Sequence, residues 1–177
     1  MYITESERIG LRKLKVEDAE ITFKIIKDSN IPYYTRISPE HTLEKEINFI
    51  KKWDENIASG KEFVFGIIEK KSNKLIGTSV LAEVNKTNHS SEFGLWIGKE
   101  SWGKGYGVET TKLMLKYGFE KLKLHSIHAG AYSFNERSIN LMKKSGMKQV
   151  GRYRERINRD NKYYDYLVFD ILKSEFK

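Results

Sequence analysis

Residues 100–119 read ESWGKGYGVETTKLMLKYGF: three glycines at every second position, Gly103, Gly105 and Gly107, lead directly into apolar residues at helical spacing. Glycine lets backbone N–H groups approach a ligand closely. A helix that starts just after the turn adds its unpaired N–H groups and the positive end of its dipole. Such a turn suits phosphate, but an ordinary tight turn that caps a helix looks the same, so the flanking sequence has to decide.

Upstream the period changes. "EFVFGIIEK", "KLIGTSVLAEV" and "SSEFGLWIG" alternate as strands, separated by the polar turns "KSN" and "NKTNHS", which predicts an antiparallel meander. Earlier still, "RIGLRKL" sets Ile9, Leu11 and Lys13 against Arg8, Gly10 and Arg12 as a strand, and "KVEDAEITFKIIKDS" has helical spacing. A Pro-punctuated loop then leads to a second helix, capped at Thr42 and ending near Gly60. Lys45 stands where a capping box would need Glu or Gln, so a simple Thr cap is expected. Downstream, "KLHSIHAGAY" is a strand, "NERSINLMKKSG" a short helix, and "KQVGRYRERINRDNKYYDYLVFDIL" a hairpin turning near Asp160 and Asn161. The order βααβββαβαββ predicts one α/β sheet domain over residues 1–177, without linker, repeat or low-complexity tract.

Composition narrows the chemistry. A chain of 177 residues, 39% hydrophobic, is large enough for one core. The absence of cysteine excludes a disulfide, a zinc-thiolate cluster and a cysteinyl acyl-enzyme. No apolar run reaches membrane-spanning length, and "MYITESERIGLRKLKVEDAE" lacks the apolar block of a secretory signal, so a cytoplasmic location is expected. A formal charge of +8 is compatible with nucleic acid, an acidic protein or a polyanionic cofactor. Lysines interleaved with glutamates, as in "KKWDENIASGKEF", describe a solvated surface more than a nucleic-acid stripe. His125 and His128, three apart on a predicted strand, face opposite sides, and His41 and His89 lack a ligand-like carboxylate spacing. No metal is expected.

Three separated stretches, "SSEFGLWIG", "WGKGYGVETT" and "NERSINLMKKSGM", fall where this element order requires them. Together they resemble the GNAT superfamily of acyl-CoA-dependent N-acetyltransferases. The leading "RIGLRKLKVEDA" is similar to its branch of ribosomal-protein N-acetyltransferases and their small-molecule relatives. The resemblance implies a GNAT fold: a mixed, mostly antiparallel sheet of about seven strands flanked by helices, with the fourth and fifth strands splayed. It also implies acetyl transfer from acetyl-CoA to a primary amine by direct attack in a ternary complex. The acceptor would be a protein N-terminus, a polyamine or an amino sugar.

The family's pyrophosphate pattern is Gln or Arg, two residues, Gly, any residue, then Gly or Ala. It maps onto Trp102, Gly103, Lys104, Gly105, Tyr106 and Gly107 and departs only at Trp102, which forfeits one side-chain contact. By the same resemblance, the backbone of Leu95, Trp96 and Ile97 on the fourth strand would pair with the pantetheine arm. Asn135 would sit near that arm. It is equally a helix N-cap, with Phe134 and Ile139 placed as a hydrophobic staple. Tyr33, Tyr34, Tyr163 and Asp165 come from segments that border the acceptor cleft in this family.

An alkylamine with a pKa of about 10 needs a base to become nucleophilic at neutral pH. Glu92, on the strand face shared by Gly94 and Trp96, is the candidate, acting through water. A surface carboxylate beside the hairpin is the other reading of Glu92. Many family members place a tyrosine acid in the helix after Asn135, where this chain has Met142. Ser138, four residues earlier on the same helical face, or bound water would then serve the departing thiolate. The expected partners are an amine-bearing small molecule or a protein N-terminus, with a homodimer left open and neither membrane nor nucleic acid as direct substrate. A non-catalytic acyl-CoA- or RNA-binding module is the rival reading.

Overall fold

The computed structural model describes residues 1–177, the side chain of Asp54 excepted. A two-residue strand β1 (Thr4–Glu5) precedes β2 (Ile9–Arg12), and helices α1 (Ala19–Asp28), α2 (Ile31–Tyr34), α3 (Leu43–Lys51) and α4 (Trp53–Ser59) follow. The meander is β3 (Phe63–Glu69), β4 (Lys74–Asn85) and β5 (Ser90–Ile97). Then come α5 (Tyr106–Glu120), β6 (Ser126–Tyr132), α6 (Glu136–Lys144), β7 (Lys148–Arg159) and β8 (Lys162–Leu172). The strands form one sheet in the order β1-β2-β3-β4-β5-β6-β8-β7. Eight strands replace the expected seven because β1 pairs with β2 through Thr4↔Leu11 and Glu5↔Gly10. The fourth and fifth strands of the sequence reading are therefore β5 and β6.

Every pairing is antiparallel except β5–β6, whose parallel register needs a crossover, and α5 supplies it. That pairing runs from Ser90↔Ser126 to Phe93↔Ala129 and stops. Beyond it β5 keeps only β4, through Leu95↔Ser79 to Ile97↔Gly77, while β6 stays with β8 through Tyr132↔Tyr166. The expected splay is thus present, and it opens one backbone edge of β5.

Alternation sorts the sheet into two faces. Leu81, Phe93, Ile97, Ile127, Ala129, Phe169 and Ile171 bury against Met114, Leu115 and Phe119 of α5. On the other face Val64 and Val80 pack with Leu14, Ala19, Ile50 and Trp53, beneath the helices that precede β3. Glu92 projects onto this second face, since its neighbour Phe93 enters the α5 core.

Local signals set the helix ends. The Thr42 hydroxyl accepts the Lys45 N–H at 3.2 Å and starts α3. Gly60, at φ +69°, ends α4. The single second helix expected between them is divided at Lys52. The Pro-punctuated loop contains the short α2, with Pro32 in its first turn, where a missing N–H costs nothing. Lys13 falls beyond the end of β2. Among the described residues no helix is long and apolar enough to cross a membrane.

The β7–β8 hairpin turns at Asp160 and Asn161, both left-handed at φ +51° and +59°, and Arg159 pairs with Lys162 across it. This two-residue geometry matches the right-handed twist of the flanking strands and suits Asp and Asn. Asn161→Val should therefore lower folding stability by about 1–2 kcal/mol, the cost of a left-handed β-branched residue, while Asn161→Gly holds it. Urea denaturation of the two variants checks this.

Candidate active site

The glycine turn is anchored at both ends. The Trp102 indole N–H donates to the Ile97 carbonyl at 2.6 Å, tying the turn to the end of β5. Gly103 and Gly105 sit at φ +75° and +84°, where a side chain is strained. Gly105 is the N-cap of α5 and offers no side chain to its amides, so the first N–H groups of the helix have no protein acceptor of their own. Those are the donors a phosphate needs. A Cβ at Gly107 would stand 2.5 Å from Leu141 Cδ1, so this glycine also sets the close approach of α5 and α6.

A 910 Å³ cleft runs from this turn along the open edge of β5, past the first turns of α6, to Arg36, Glu62, Glu92 and Tyr166. Trp102, Gly103, Gly105, Tyr106 and Gly107 line it, as do Leu95, Trp96, Ile97, Asn135, Ser138 and Tyr34. Lys104, expected with them, does not; its carbonyl instead accepts from Arg8 Nη1 at 3.1 Å. The Ile97 carbonyl is already taken by Trp102, which leaves Gly94, Leu95 and Trp96 as the open part of the β5 edge.

Glu92 is 8% exposed, which replaces the surface-carboxylate reading with a buried one. Two partners stabilise it there. Arg36 Nη2 donates to Oε1 at 2.5 Å, and this hydrogen bond raises the guanidinium further above its usual value. Burial raises the Tyr166 phenol above the usual tyrosine range, and the nearby charge of the Glu92 carboxylate raises it again. The phenol lies over Gly130, where a Cβ would stand 1.9 Å from Tyr166 Oη, and lines the same cleft as Glu92.

Asn135 caps α6 as expected: its side-chain oxygen accepts the Ser138 N–H at 3.3 Å, which leaves the side-chain amide hydrogens free for a ligand. Phe134 joins an aromatic cluster with Tyr33, Tyr132 and Tyr164. Met142 is buried in the core and borders the cleft, and Ser138, one helical turn earlier on α6, lines the same cleft.

Residues 8–148 match the family model described as an acetyltransferase (GNAT) domain. The chain belongs to the GNAT acetyltransferase family. It is 28% identical over 171 residues to an N-acetyltransferase of Bacillus licheniformis called p20, which is itself uncharacterized, covering 97% of this chain and 96% of that one. It is 25% identical to the spermidine N(1)-acetyltransferase of Vibrio cholerae, covering 97% and 96%. The ribosomal-protein-S5-alanine acetyltransferase of Vibrio fischeri shares the fold at a TM-score of 0.86 and 19% identity, covering 98% of each chain.

Three of the four substrate-side residues expected for this GNAT cleft lie elsewhere. Tyr33 packs on Tyr34 and Phe134, at 5.2 Å between ring centroids in each case. Tyr163 is 65% exposed, and Asp165 pairs with Arg152 at 2.5 Å. Tyr166 of β8 faces the cleft, so Tyr163 and Asp165 point to the opposite side of the sheet. Arg36, Glu62, Tyr166 and Arg137 were missed. Gly130 inside a strand was the available signal for Tyr166, since such a glycine marks close approach by another group.

Glu62 lines the same cleft as Glu92 and accepts from Asn56 Nδ2 at 3.0 Å, yet burial outweighs that bond and raises its pKa. A raised folded value means that Glu62 favours folding below the ordinary glutamate pKa and loses that contribution as pH climbs through the raised one. Glu62→Gln should accordingly gain melting temperature over wild type at pH 8, with the gain shrinking toward pH 4. Thermal scans across that range measure it.

Proposed function

We propose that this chain, acting as one domain over residues 1–177 in the cytoplasm, moves an acetyl group from acetyl-CoA to a primary amine by direct attack in a ternary complex. One observation carries the proposal: a buried carboxylate, Glu92, stands at the point where β5 and β6 part, in the cleft that also holds the capless glycine turn and the open β5 edge. The residues present fit the cofactor. The α5 amides and the left-handed glycines suit its phosphates, and the free edge at Gly94, Leu95 and Trp96 suits an extended amide-bearing arm.

Acetyl-CoA supplies the acetyl thioester. A backbone N–H of the open β5 edge polarises its carbonyl, and Glu92 accepts the amine proton through water. Until the amine arrives, Arg36 holds the Glu92 carboxylate in place, with the Tyr166 phenol beside it in the cleft. Ser138 or a bound water donates a hydrogen bond to the departing sulfur, which leaves as the thiolate with only this weak assistance, its thiol pKa being about 8.5. The Arg36 side chain is 68% exposed, so an incoming ammonium can displace it from Glu92. Two carboxylates in the cleft, Glu62 and Glu92, favour a cationic small amine as acceptor, in keeping with the similarity to a spermidine acetyltransferase.

The test is thiol release from acetyl-CoA across a panel of polyamines, amino sugars and peptides with free N-termini. Release with any member excludes a purely binding module; silence across the panel sinks the enzymatic reading. On a responding amine, Glu92→Gln should cut turnover by about 10²–10⁴-fold and leave acetyl-CoA affinity intact. The deficit should narrow as pH rises and more of the amine arrives neutral. Full turnover with an unchanged pH profile would remove Glu92 as the base.

A further inference from the structure

We propose that Arg137, stacked on Trp102, is a ligand for the pyrophosphate of the cofactor and restores the side-chain contact that the turn lacks at position 102. The inference rests on acetyl-CoA binding at the glycine turn, as proposed above. Trp102 cannot make a phosphate contact itself, because its single N–H is spent on the Ile97 carbonyl. Its ring is occupied differently. The Arg137 guanidinium carbon lies 3.5 Å from the Trp102 ring centroid and 4.9 Å from that of Tyr34. Tyr34 meets Trp102 edge-on at 6.2 Å. The two rings thus fix the plane of the guanidinium and leave its N–H groups at the edges of the stack.

Those N–H groups are unspent. Two arginines line the cleft, and Arg36 is paired with Glu92. Arg8, Arg12 and Arg152 are likewise paired with carboxylates, and Arg159 donates to the Tyr33 and Thr35 carbonyls. Arg137 has ring contacts alone among the described residues. It also occupies the second position of α6, where a cation opposes the helix dipole. An exposed arginine held there by aromatic rings, with all its donors open, has the form of an anion ligand more than of a structural ion pair.

Its position fits the pyrophosphate. Arg137 is one helical turn before Leu141, the residue against which Gly107 packs, so it lies on the flank of α6 nearest the start of α5. The α5 amides present partial charges to a phosphate; a guanidinium fork adds a full charge and two parallel donors. Trp102 then serves as the platform and Arg137 as the contact, a division of what a single Gln or Arg does in the family pattern.

Calorimetry with CoA, 3′-dephospho-CoA and pantetheine tests the assignment on the wild-type chain and on Arg137→Ala. The expected result is a loss of about 10- to 100-fold for CoA and for dephospho-CoA, the range for a charge-assisted pair, with pantetheine unchanged. Arg137→Lys should recover part of the loss. Trp102→Leu should weaken CoA in both backgrounds, since it also frees the turn from the Ile97 carbonyl, but less in Arg137→Ala, where the stacking platform is already idle. Unchanged CoA affinity in Arg137→Ala, or an equal loss for pantetheine, overturns the proposal. A loss confined to CoA overturns it too, by moving Arg137 to the 3′-phosphate. Wild-type protein that binds no CoA at all would instead refute the cofactor reading on which it rests.

Discussion

Everything at the site depends on the parallel pairing of β5 and β6 ending after Phe93↔Ala129. A strand edge inside a sheet is normally satisfied on both sides, and an unpaired N–H or C=O away from water carries a free-energy cost. Here the open edge lines the cleft, and the structure keeps it open by giving each strand another commitment. The strand β6 continues along β8 to Tyr132↔Tyr166, and the end of β5 is held by Trp102. Gly130 on β6 admits the Tyr166 phenol from the far side of the parting. The cleft is thus a consequence of register.

The same parting explains why a carboxylate can be buried at Glu92. An isolated buried carboxylate would be costly, but the gap brings a guanidinium from the α2–α3 connection and a phenol from β8 within reach of it. The two partners differ in kind. Tyr166 is fixed across Gly130, whereas Arg36 is a long, mostly exposed side chain whose departure exposes one carboxylate oxygen to a ligand. Under the proposed function, a site arranged in this way would exchange one cation for another and keep the charge of Glu92 compensated when an amine enters.

Local signals carried the fold well. The glycine turn, the alternation of β3 to β5, the Thr42 and Asn135 caps and the Asp160–Asn161 turn each depend on a few adjacent residues, and the sequence displays those directly. Two-residue β1, the short α2 and the interruption at Lys52 are set by tertiary contact and leave no period to read. At the site, most of the residues expected to offer backbone groups to a ligand line the cleft, for the same local reason. Side-chain partners were not: Arg36 stands on an irregular connection, where no period assigns a face. On β8 the run of Tyr163, Tyr164 and Tyr166 offered aromatic residues in both phases, and only packing on Gly130 decides between them.

Trp102 shows how a departure from a motif can be informative. Read alone, it is a lost phosphate contact. In the folded chain its N–H pins the turn to β5 while its face carries Arg137, so one residue links the edge that would receive the arm, the turn that would receive the phosphates and the helix that bears Asn135 and Ser138. A Gln or Arg at 102 would contact phosphate but could not serve as a stacking platform of this kind. The tryptophan therefore trades a direct contact for rigidity at the junction of three elements. That trade is tolerable because the neighbouring helix already presents a cation there.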